Sequence, residues 1–215
     1  MILKRIQVNT LIGQLTNCYI VVDENTKETM VIDPGGEPEK ILEMLDVLEI
    51  DKIKYIYLTH CHGDHIGAVK EIKEAKGGKI LVHRLDKESL FNPEISFTIW
   101  NQDGLIIDAD SRVEDNDLIH LGSTEFKVIH TPGHTAGGTC LYCEKEKLLF
   151  SGDTLFRGTW GRTDLPTSSF EDIINSITNK LAILPDDTIV YPGHGKSTRI
   201  KEEEPIYLTL RPRLP

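Results

Sequence analysis

The sequence predicts a mixed α/β domain, and three observations support this fold class. Short apolar runs rich in β-branched and aromatic residues are bounded by turn residues, as is typical of buried strands. Other segments place their apolar residues at helical spacing. The 215-residue chain is 39% hydrophobic and 27% charged, which is enough apolar material for one sizeable core. Because no low-complexity linker divides the chain, we expect residues 1–215 to form a single domain.

The first part of the chain predicts strands alternating with helices. Residues 1–6, 17–22 and 29–32 are strand-like, and Asp33-Pro34-Gly35-Gly36 ends the third of these runs. Pro38 suits the first turn of a helix that has Ile41, Leu42, Leu45 and Leu48 on one face. A buried strand is predicted at 53–58. Ile66, Val69, Ile72 and Ala75 then indicate a helix that Gly77-Gly78 ends before a strand at 80–82.

The second part predicts a strand meander and one more long helix. Residues 86–117 have poor periodicity, with turns at Asn92-Pro93 and 101–104, and predict irregular chain with one short helix. Strands are expected at 117–121, 125–131, 139–143, 148–151 and 188–191, and a helix at about 170–184. We interpret the charge run at 202–204 as solvated surface and expect the tail after about residue 200 to be loosely held.

Composition excludes several classes of partner. The formal net charge is −10, so no basic stripe is available for nucleic acid. No stretch approaches the ~20 apolar residues that span a bilayer, and the N-terminus does not resemble a signal peptide. The spacing of the four cysteines suggests no disulfide framework, which favours a cytoplasmic protein. Either a monomer or a small homo-oligomer is compatible with the sequence.

Cys140 and Cys143 form a CxxC pattern inside a strand-like run. A zinc site of this kind needs a second pair, and a redox CxxC opens a helix. We therefore interpret the pair as structural.

The most informative stretch is Thr59-His60-Cys61-His62-Gly63-Asp64-His65. It follows the predicted strand at 53–58 directly, so His60 and His62 can point the same way from extended chain. Gly63 allows a bend that would place Asp64 and His65 in the first turn of the next helix. Neutral imidazoles and carboxylates are ligands of zinc, iron and manganese. The stretch predicts a metal site.

Three later strand-like runs also end in a metal-capable side chain beside glycine. These are His134 in Pro-Gly-His, Asp153 in Ser-Gly-Asp and His194 in Pro-Gly-His. Brought to one sheet edge, they would complete a set of seven: His60, His62, Asp64, His65, His134, Asp153 and His194. Seven ligands are too many for one tetrahedral zinc, but they suit two ions with three terminal ligands each and one bridging carboxylate.

With these residues in place, the chain resembles the metallo-β-lactamase superfamily over nearly its whole length. The resemblance implies a four-layer αβ/βα sandwich, with two mixed sheets, helices outside and the metals at one sheet edge. It implies that His60, His62 and His134 bind the first metal. The second would be bound by Asp64, His65 and His194, and Asp153 would bridge the two.

Within the superfamily, Gly152-Asp153-Thr154-Leu155-Phe156 and Gly161-Arg162-Thr163-Asp164-Leu165-Pro166 resemble the short bacterial branch of the glyoxalase II-like (hydroxyacylglutathione hydrolase-like) enzymes. This implies hydrolysis of thioesters of the S-lactoylglutathione type, with two divalent metal ions. Zinc is expected first, and iron or manganese stays open. The antibiotic-hydrolysing lactamases usually carry Cys at the position of Asp153, which disfavours that activity here.

The resemblance also implies a mechanism. Two metals a few ångströms apart would share a hydroxide, which attacks the thioester carbonyl and expels a thiolate. Asp64 and Asp153 are the expected catalytic carboxylates, acting as ligands and not as free bases. Full-length glyoxalase II has a C-terminal helical extension that supplies basic residues to glutathione. None of Lys196, Arg199, Lys201, Arg211 and Arg213 can be aligned to that role, so the identity of the thiol stays open.

Three alternatives remain from the sequence. A persulfide dioxygenase has similar Gly-Arg-Thr-Asp residues and would bind one iron through His60, His134 and Asp153. The same metal centre could serve a lactonase or phosphodiesterase. A metal-binding module without turnover, such as a redox partner domain, belongs to a different class.

Several residues near the motifs have open or structural interpretations. Asp33 could orient a ligand histidine or merely form a turn. Arg157 and Trp160 could line the substrate entrance or brace their loop, and for Arg162 we favour a structural role. Cys61 is expected to bind no metal. Structural roles are expected for His83, His120 and His130.

Overall fold

The computed structural model describes residues 1–10, 13–98 and 106–210. The predicted turn at 101–104, Arg211 and Arg213 lie outside the described residues.

Two six-stranded sheets form the centre of the protein. The first has its strands in chain order: Ile2–Asn9 (β1), Leu15–Val22 (β2), Thr29–Ile32 (β3), Tyr55–Tyr57 (β4), Lys79–His83 (β5) and Ser111–Val113 (β6). Its first three strands are antiparallel neighbours, whereas β3 to β6 run parallel. Parallel neighbours need crossover connections, and helices supply most of them here.

The second sheet is mainly antiparallel. Its strands are Leu118–Leu121 (β7), Thr124–His130 (β8), Thr139–Cys143 (β9), Leu148–Gly152 (β10), Ile189–Pro192 (β13) and Thr198–Arg199 (β14). A hairpin of Leu155–Phe156 (β11) and Thr159–Trp160 (β12) projects beside it. The strand order is β14-β13-β10-β9-β8-β7, with β10 and β13 parallel.

Helices cover the outer faces of both sheets. They are Pro38–Val47 (α1), Gly63–Ile66 (α2), Val69–Lys76 (α3), Arg84–Lys87 (α4), Phe170–Asn175 (α5) and Glu204–Leu210 (α6). A π-helical segment, Ser176–Leu181, continues α5, and short 3₁₀ turns occupy Glu88–Phe91 and Lys201–Glu203.

Burial along the strands shows a four-layer sandwich. Met30 and Ile32 of β3 pack between the two sheets, together with Phe126 and Phe150 of the second sheet. Val31, on the opposite face of β3, packs with the residues of α1 and α3, as the alternation of a strand requires. Ile173, Ile177 and Leu181 pack against the outer face of the second sheet. The predicted αβ/βα arrangement is confirmed.

Most predicted elements are present, and the helix after Gly63 is the clearest difference. It is broken into α2 and α3 at Gly67-Ala68. The Ala68 N–H donates to Pro34 O at 2.8 Å, a carbonyl of the loop that ends β3. A Cβ on Gly67 would clash with the carbonyl oxygen of Gly35. The break therefore lets the loop after β3 pack closely against the ligand-bearing turn.

One prediction about the C-terminal part is wrong. Glu203 was expected on the solvated surface, but it is buried and accepts hydrogen bonds from the Gly158 N–H at 2.8 Å and the Thr198 hydroxyl at 2.5 Å. This burial arises from long-range packing that a local charge run conceals. The loosely held tail stays a prediction; its residues 201–210 are helical, and Tyr207 is buried against the second sheet's outer layer.

The region expected to be irregular contains α4, a 3₁₀ turn and the short strand β6. The turn at Asn92 is present, since Asn92 O accepts from the N–H groups of Ile95 and Ser96. Cys140 and Cys143 are both buried and unpaired. Cys140 packs in the outer layer and Cys143 between the sheets, so the two thiols do not converge on one site.

None of the helices in residues 1–10, 13–98 and 106–210 has the length and apolar character to cross a membrane.

Phe126 provides a test of the inter-sheet core, because its side chain is fully buried there. We expect Phe126→Ala to lower the free energy of unfolding by about 3–5 kcal/mol, through lost burial and a residual cavity. Phe170→Ala is the matched control, since Phe170 is 58% exposed. Denaturant unfolding of both variants measures the difference, and equal midpoints would contradict the assigned core.

Candidate metal centre

All the ligand candidates lie at one edge of the sandwich. Asp33 follows β3, and the stretch 59–65 follows β4, a parallel neighbour in the first sheet. In the second sheet β8, β10 and β13 run in the same direction, and His134, Asp153 and His194 follow their carboxyl ends. Strands that run in one direction present their carboxyl ends at one edge. The topology therefore brings the four predicted strand ends together.

Three histidines from the two sheets form the first group. Single ligand atoms of His60, His62 and His134 lie within 4.8 Å of one another, and all three side chains are buried. His62 Nδ1 and His134 Nε2 are 2.9 Å apart. Three mutually facing imidazoles are a typical ligand set for a divalent transition metal.

Asp64, His65 and His194 form the second group, again with ligand atoms within 4.8 Å of one another. His65 Nε2 lies 3.4 Å from His194 Nε2, and His194 Nε2 lies 3.3 Å from Asp64 Oδ2. The short helix α2 supplies Asp64 and His65 from consecutive positions, as the sequence predicts.

Asp153 lies between the two groups. Its Oδ2 is 3.5 Å from His134 Nε2 and 3.3 Å from His194 Nε2. Its Oδ1 is 3.4 Å from His65 Nε2. One carboxylate is thus within reach of both groups, in the place expected of a bridging ligand.

Hydrogen bonds hold three of the imidazole rings in the tautomer that can bind a cation through Nε2. Nδ1–H of His134 donates to Arg162 O at 2.9 Å, and Nδ1–H of His194 donates to Leu15 O at 2.8 Å. Nδ1–H of His65 donates to Asp33 at 2.9 Å. A proton on Nδ1 leaves the Nε2 lone pair free, and these lone pairs point into the site.

Asp33 organises a small buried network behind the ligands. Its carboxylate accepts from the Thr59 N–H at 2.8 Å and the Thr59 hydroxyl at 2.7 Å, in addition to His65. Because the Thr59 hydroxyl donates to Asp33, it accepts from Nδ1–H of His60, 3.0 Å away. Asp33 has φ 51°, an uncommon left-handed conformation for a residue other than glycine. Of the two interpretations left open, the structure favours ligand orientation.

Three buried atoms test whether the site fits metal ions. His60 Nε2, His62 Nε2 and Asp153 Oδ1 have no hydrogen-bond partner. Leaving a buried polar atom unpaired costs roughly 1–3 kcal/mol, and these three are two imidazole nitrogens of the first group and one oxygen of Asp153, which lies between the groups. Divalent cations would satisfy them, so the donor set fits.

The pKa values of the site histidines also favour bound cations. Burial lowers the pKa of His60 well below its usual value and the pKa of His62 to about 3, so both rings are neutral near pH 7. Burial also opposes protonation of His194, yet Asp153 and Asp64 raise its pKa to about 10. Positive charge is therefore favoured between these carboxylates, and bound cations would compete with protons for that position.

A cavity of about 380 Å³ opens onto both groups. Beyond the ligand candidates, its walls include Gln14, Phe97, Phe156, Arg162 and Leu165. A site of this size, with apolar walls and a few polar groups, suits a small molecule. No site role was predicted for Gln14, Phe97, Phe156 or Leu165, although Phe156 and Leu165 belong to the two motifs that carry the family resemblance.

Arg157 and Trp160 line a separate groove beside α6, not this cavity. Arg162 contributes in two ways. Its carbonyl orients His134, and its exposed side chain forms a two-fold hydrogen bond with Asp164 at 2.7 and 2.8 Å. Arg162 therefore has the structural role that the sequence predicts, and it also lines the cavity.

The remaining histidines lie outside both groups. His83 is buried and stacks on His130 with ring centroids 4.0 Å apart, and His130 Nε2 donates to Ala136 O at 2.9 Å. These two fit the expected structural role. His120 is largely exposed instead. Cys61 is buried in the helix-facing core of the first sheet.

The fold and the site define a class of protein, and comparison of the chain with known proteins identifies the same class. The chain belongs to the metallo-beta-lactamase superfamily, whose family model matches residues 11–194. Superfamily membership and the His/Asp cluster imply divalent metal ions and indicate a metal-dependent hydrolase.

Three relatives cover most of the chain. An uncharacterized protein of Aquifex aeolicus is 40% identical over 94% of both chains. Hydroxyacylglutathione hydrolase GloC of Haemophilus influenzae is 36% identical, over 87% of this chain and 89% of that protein. A probable metallo-hydrolase of Streptococcus pyogenes is 35% identical, over 92% of this chain and 85% of that protein.

Solved structures give the same fold. BLEG-1 B3 metallo-beta-lactamase superposes with a TM-score of 0.87 at 33% identity, over 98% of this chain and all of that one. TTHA1623 in a di-iron-bound form has a TM-score of 0.78 at 32% identity, covering 94% and 96%. ETHE1 from Myxococcus xanthus has a TM-score of 0.77 at 27% identity, covering 96% and 83%.

The network around Asp33 generates a prediction. Asp33→Asn keeps the side chain's shape but replaces one acceptor oxygen by a donor, so His65, Thr59 or both lose a partner. We expect metal affinity to fall by about 10–100-fold, measured by competition with a chelating indicator. Asp51→Asn is the control, because Asp51 is exposed. If Asp33→Asn binds metal as tightly as the native protein, Asp33 only forms the turn after β3 and does not orient a ligand.

Proposed function

We propose that this protein is a dinuclear metal-dependent hydrolase that cleaves thioesters of the S-lactoylglutathione type. One observation carries the dinuclear part of the proposal. Asp153 lies within 3.5 Å of ligand atoms in both groups, which suits one carboxylate shared by two ions. The thioester part is supported by the relative named hydroxyacylglutathione hydrolase.

In the proposed centre, His60, His62 and His134 would hold one ion, and Asp64, His65 and His194 would hold the other. Asp153 would be the shared ligand. When bound, two divalent cations lower the pKa of water and polarise a carbonyl oxygen, which are the two requirements for hydrolysis of an acyl bond.

The chain's own residues supply position, charge and exclusion of water. The carboxylates of Asp64 and Asp153 place two negative charges beside the ions, so the centre keeps a modest net charge. Hydrogen bonds from the histidine Nδ1–H groups fix the ring orientations. Phe97, Phe156 and Leu165 provide apolar walls for the acyl-thiol substrate. A thiolate leaves readily, so no separate general acid is required.

Zinc is the first expectation for the metal, and a second candidate is supported by a specific comparison. A similar structure is of a di-iron-bound form, and the same His and Asp donors bind iron. The four cysteines are buried and free, which supports the expected cytoplasmic location.

The persulfide dioxygenase alternative would need only His60, His134 and Asp153 for one iron. The observation against it is the second group, whose three side chains converge equally well. Metal analysis of purified protein, with thioester hydrolysis measured on the same sample, separates the two. We expect two metal ions per chain and S-lactoylglutathione hydrolysis. One iron per chain with oxygen consumption on glutathione persulfide would favour the dioxygenase instead.

Asp153 provides the mutational test. We expect Asp153→Ala, with its metal content restored, to hydrolyse S-lactoylglutathione at least about 10²–10³-fold more slowly, the scale seen for loss of one preorganised electrostatic group. Asp108→Ala is the control, because the Asp108 side chain is 79% exposed. Wild-type turnover by the metal-loaded Asp153→Ala protein would refute the proposal.

A further inference from the structure

Asp86 is a fully buried carboxylate that belongs to neither ligand group. It lies in α4, and its oxygens accept three hydrogen bonds. Oδ2 accepts from the Cys61 N–H at 3.1 Å and from the Thr135 hydroxyl at 2.7 Å. Oδ1 accepts from the Gly137 N–H at 2.7 Å. Within the described part of the chain it forms no salt bridge, so this buried carboxylate is held by neutral donors alone.

The three donors come from the two loops that carry the first group of histidines. Cys61 lies between His60 and His62, in the loop after β4 of the first sheet. Thr135 follows His134 directly, in the loop after β8 of the second sheet. One carboxylate therefore links the backbone of both loops, next to all three imidazoles.

Gly137 packs closely against Asp86 and leaves no room for a side chain at position 137. A Cβ on Gly137 would lie 2.5 Å from both the backbone nitrogen and Oδ1 of Asp86, so a side chain at 137 would displace the carboxylate. His83 Nδ1 accepts from the Leu85 N–H at the start of α4, which places Asp86 in the first turn.

Asp33 makes a different set of contacts. It bonds to His65 of the second group directly, and its other bonds are to Thr59. The two buried carboxylates are thus attached to different parts of the site: Asp33 lies behind His65, whereas Asp86 connects the loop of His60 and His62 to the loop of His134.

We infer that Asp86 is a positioning residue for the three-histidine group, holding the loops of the two sheets at the separation that one metal ion requires. The inference rests on the metal centre of the proposed function but not on its substrate. Within the described residues, no hydrogen bond of Asp86 goes to a ligand side chain, so it acts through the two loops, by two backbone N–H groups and the Thr135 hydroxyl.

The test uses Asp86→Asn, which keeps the volume of the side chain. The Thr135 hydroxyl can reverse and accept from the new amide, but the single remaining oxygen cannot accept from both Cys61 and Gly137. One backbone N–H therefore loses its partner, and the two loops are no longer held equally.

The variant is measured in two backgrounds by competition of Co²⁺ with a chelating indicator and by the Co²⁺ absorption spectrum. His194→Ala disables the second group and reports on the three-histidine group. His62→Ala disables the first group and reports on the second. We expect Asp86→Asn to weaken Co²⁺ binding by about 10–100-fold in the His194→Ala background, as for other residues that orient ligands. In the His62→Ala background we expect no change.

Asp23→Asn is the matched control. Asp23 is also a buried carboxylate that accepts N–H bonds from a loop of the other sheet, at Ser123. It lies at the far end of β2, roughly 25 Å along the strand from Leu15 beside His194. We expect it to affect stability and to leave Co²⁺ affinity unchanged in both backgrounds.

Equal loss in both backgrounds, or no loss in the His194→Ala background, would overturn the inference. If Asp86→Asn does not fold, Thr135→Val removes one of the three hydrogen bonds at similar volume, and a selective but smaller loss is expected. No substrate enters these measurements. Selective loss of Co²⁺ affinity without thioester hydrolysis by the native chain would therefore refute only the proposed substrate.

Discussion

The site depends on one constraint: buried polar atoms must be paired. His60 Nε2, His62 Nε2 and Asp153 Oδ1 lack partners in the protein, and they converge at one edge of the sandwich. Cations can satisfy such atoms, whereas an apolar core cannot. The arrangement around them is therefore built to hold these groups in place without satisfying their inward-facing lone pairs.

That arrangement uses both sheets. The first sheet supplies the stretch after β4, and the second supplies His134, Asp153 and His194 from strands of common direction. Close packing makes the geometry rigid, because a side chain at Gly35 or Gly67 would clash with neighbouring backbone. Hydrogen bonds from histidine Nδ1–H groups to Asp33, Leu15 O and Arg162 O then fix the rings. The geometry of the metal centre therefore depends on how the two sheets pack against each other.

Three buried carboxylates have different places in the proposed centre. Asp153 joins the two groups, Asp33 holds His65, and Asp86 connects the loops of the three-histidine group. Beyond the ligand candidates, the cavity walls include Phe97 and the hairpin residue Phe156, which are not candidates themselves. A superfamily with one metal edge can therefore change its substrate through the walls while keeping the centre.

The sequence alone determined the seven ligand candidates and the mixed α/β elements, because a ligand at a strand end and the apolar period of a strand are local patterns. Only the tertiary structure decided that Asp33 hydrogen-bonds to His65, that Glu203 is buried and that Trp160 lines a separate groove. It also revealed Asp86, whose partners are 25 and about 50 residues away in the chain. A buried carboxylate's role depends on which distant N–H groups reach it, and no local spacing encodes that.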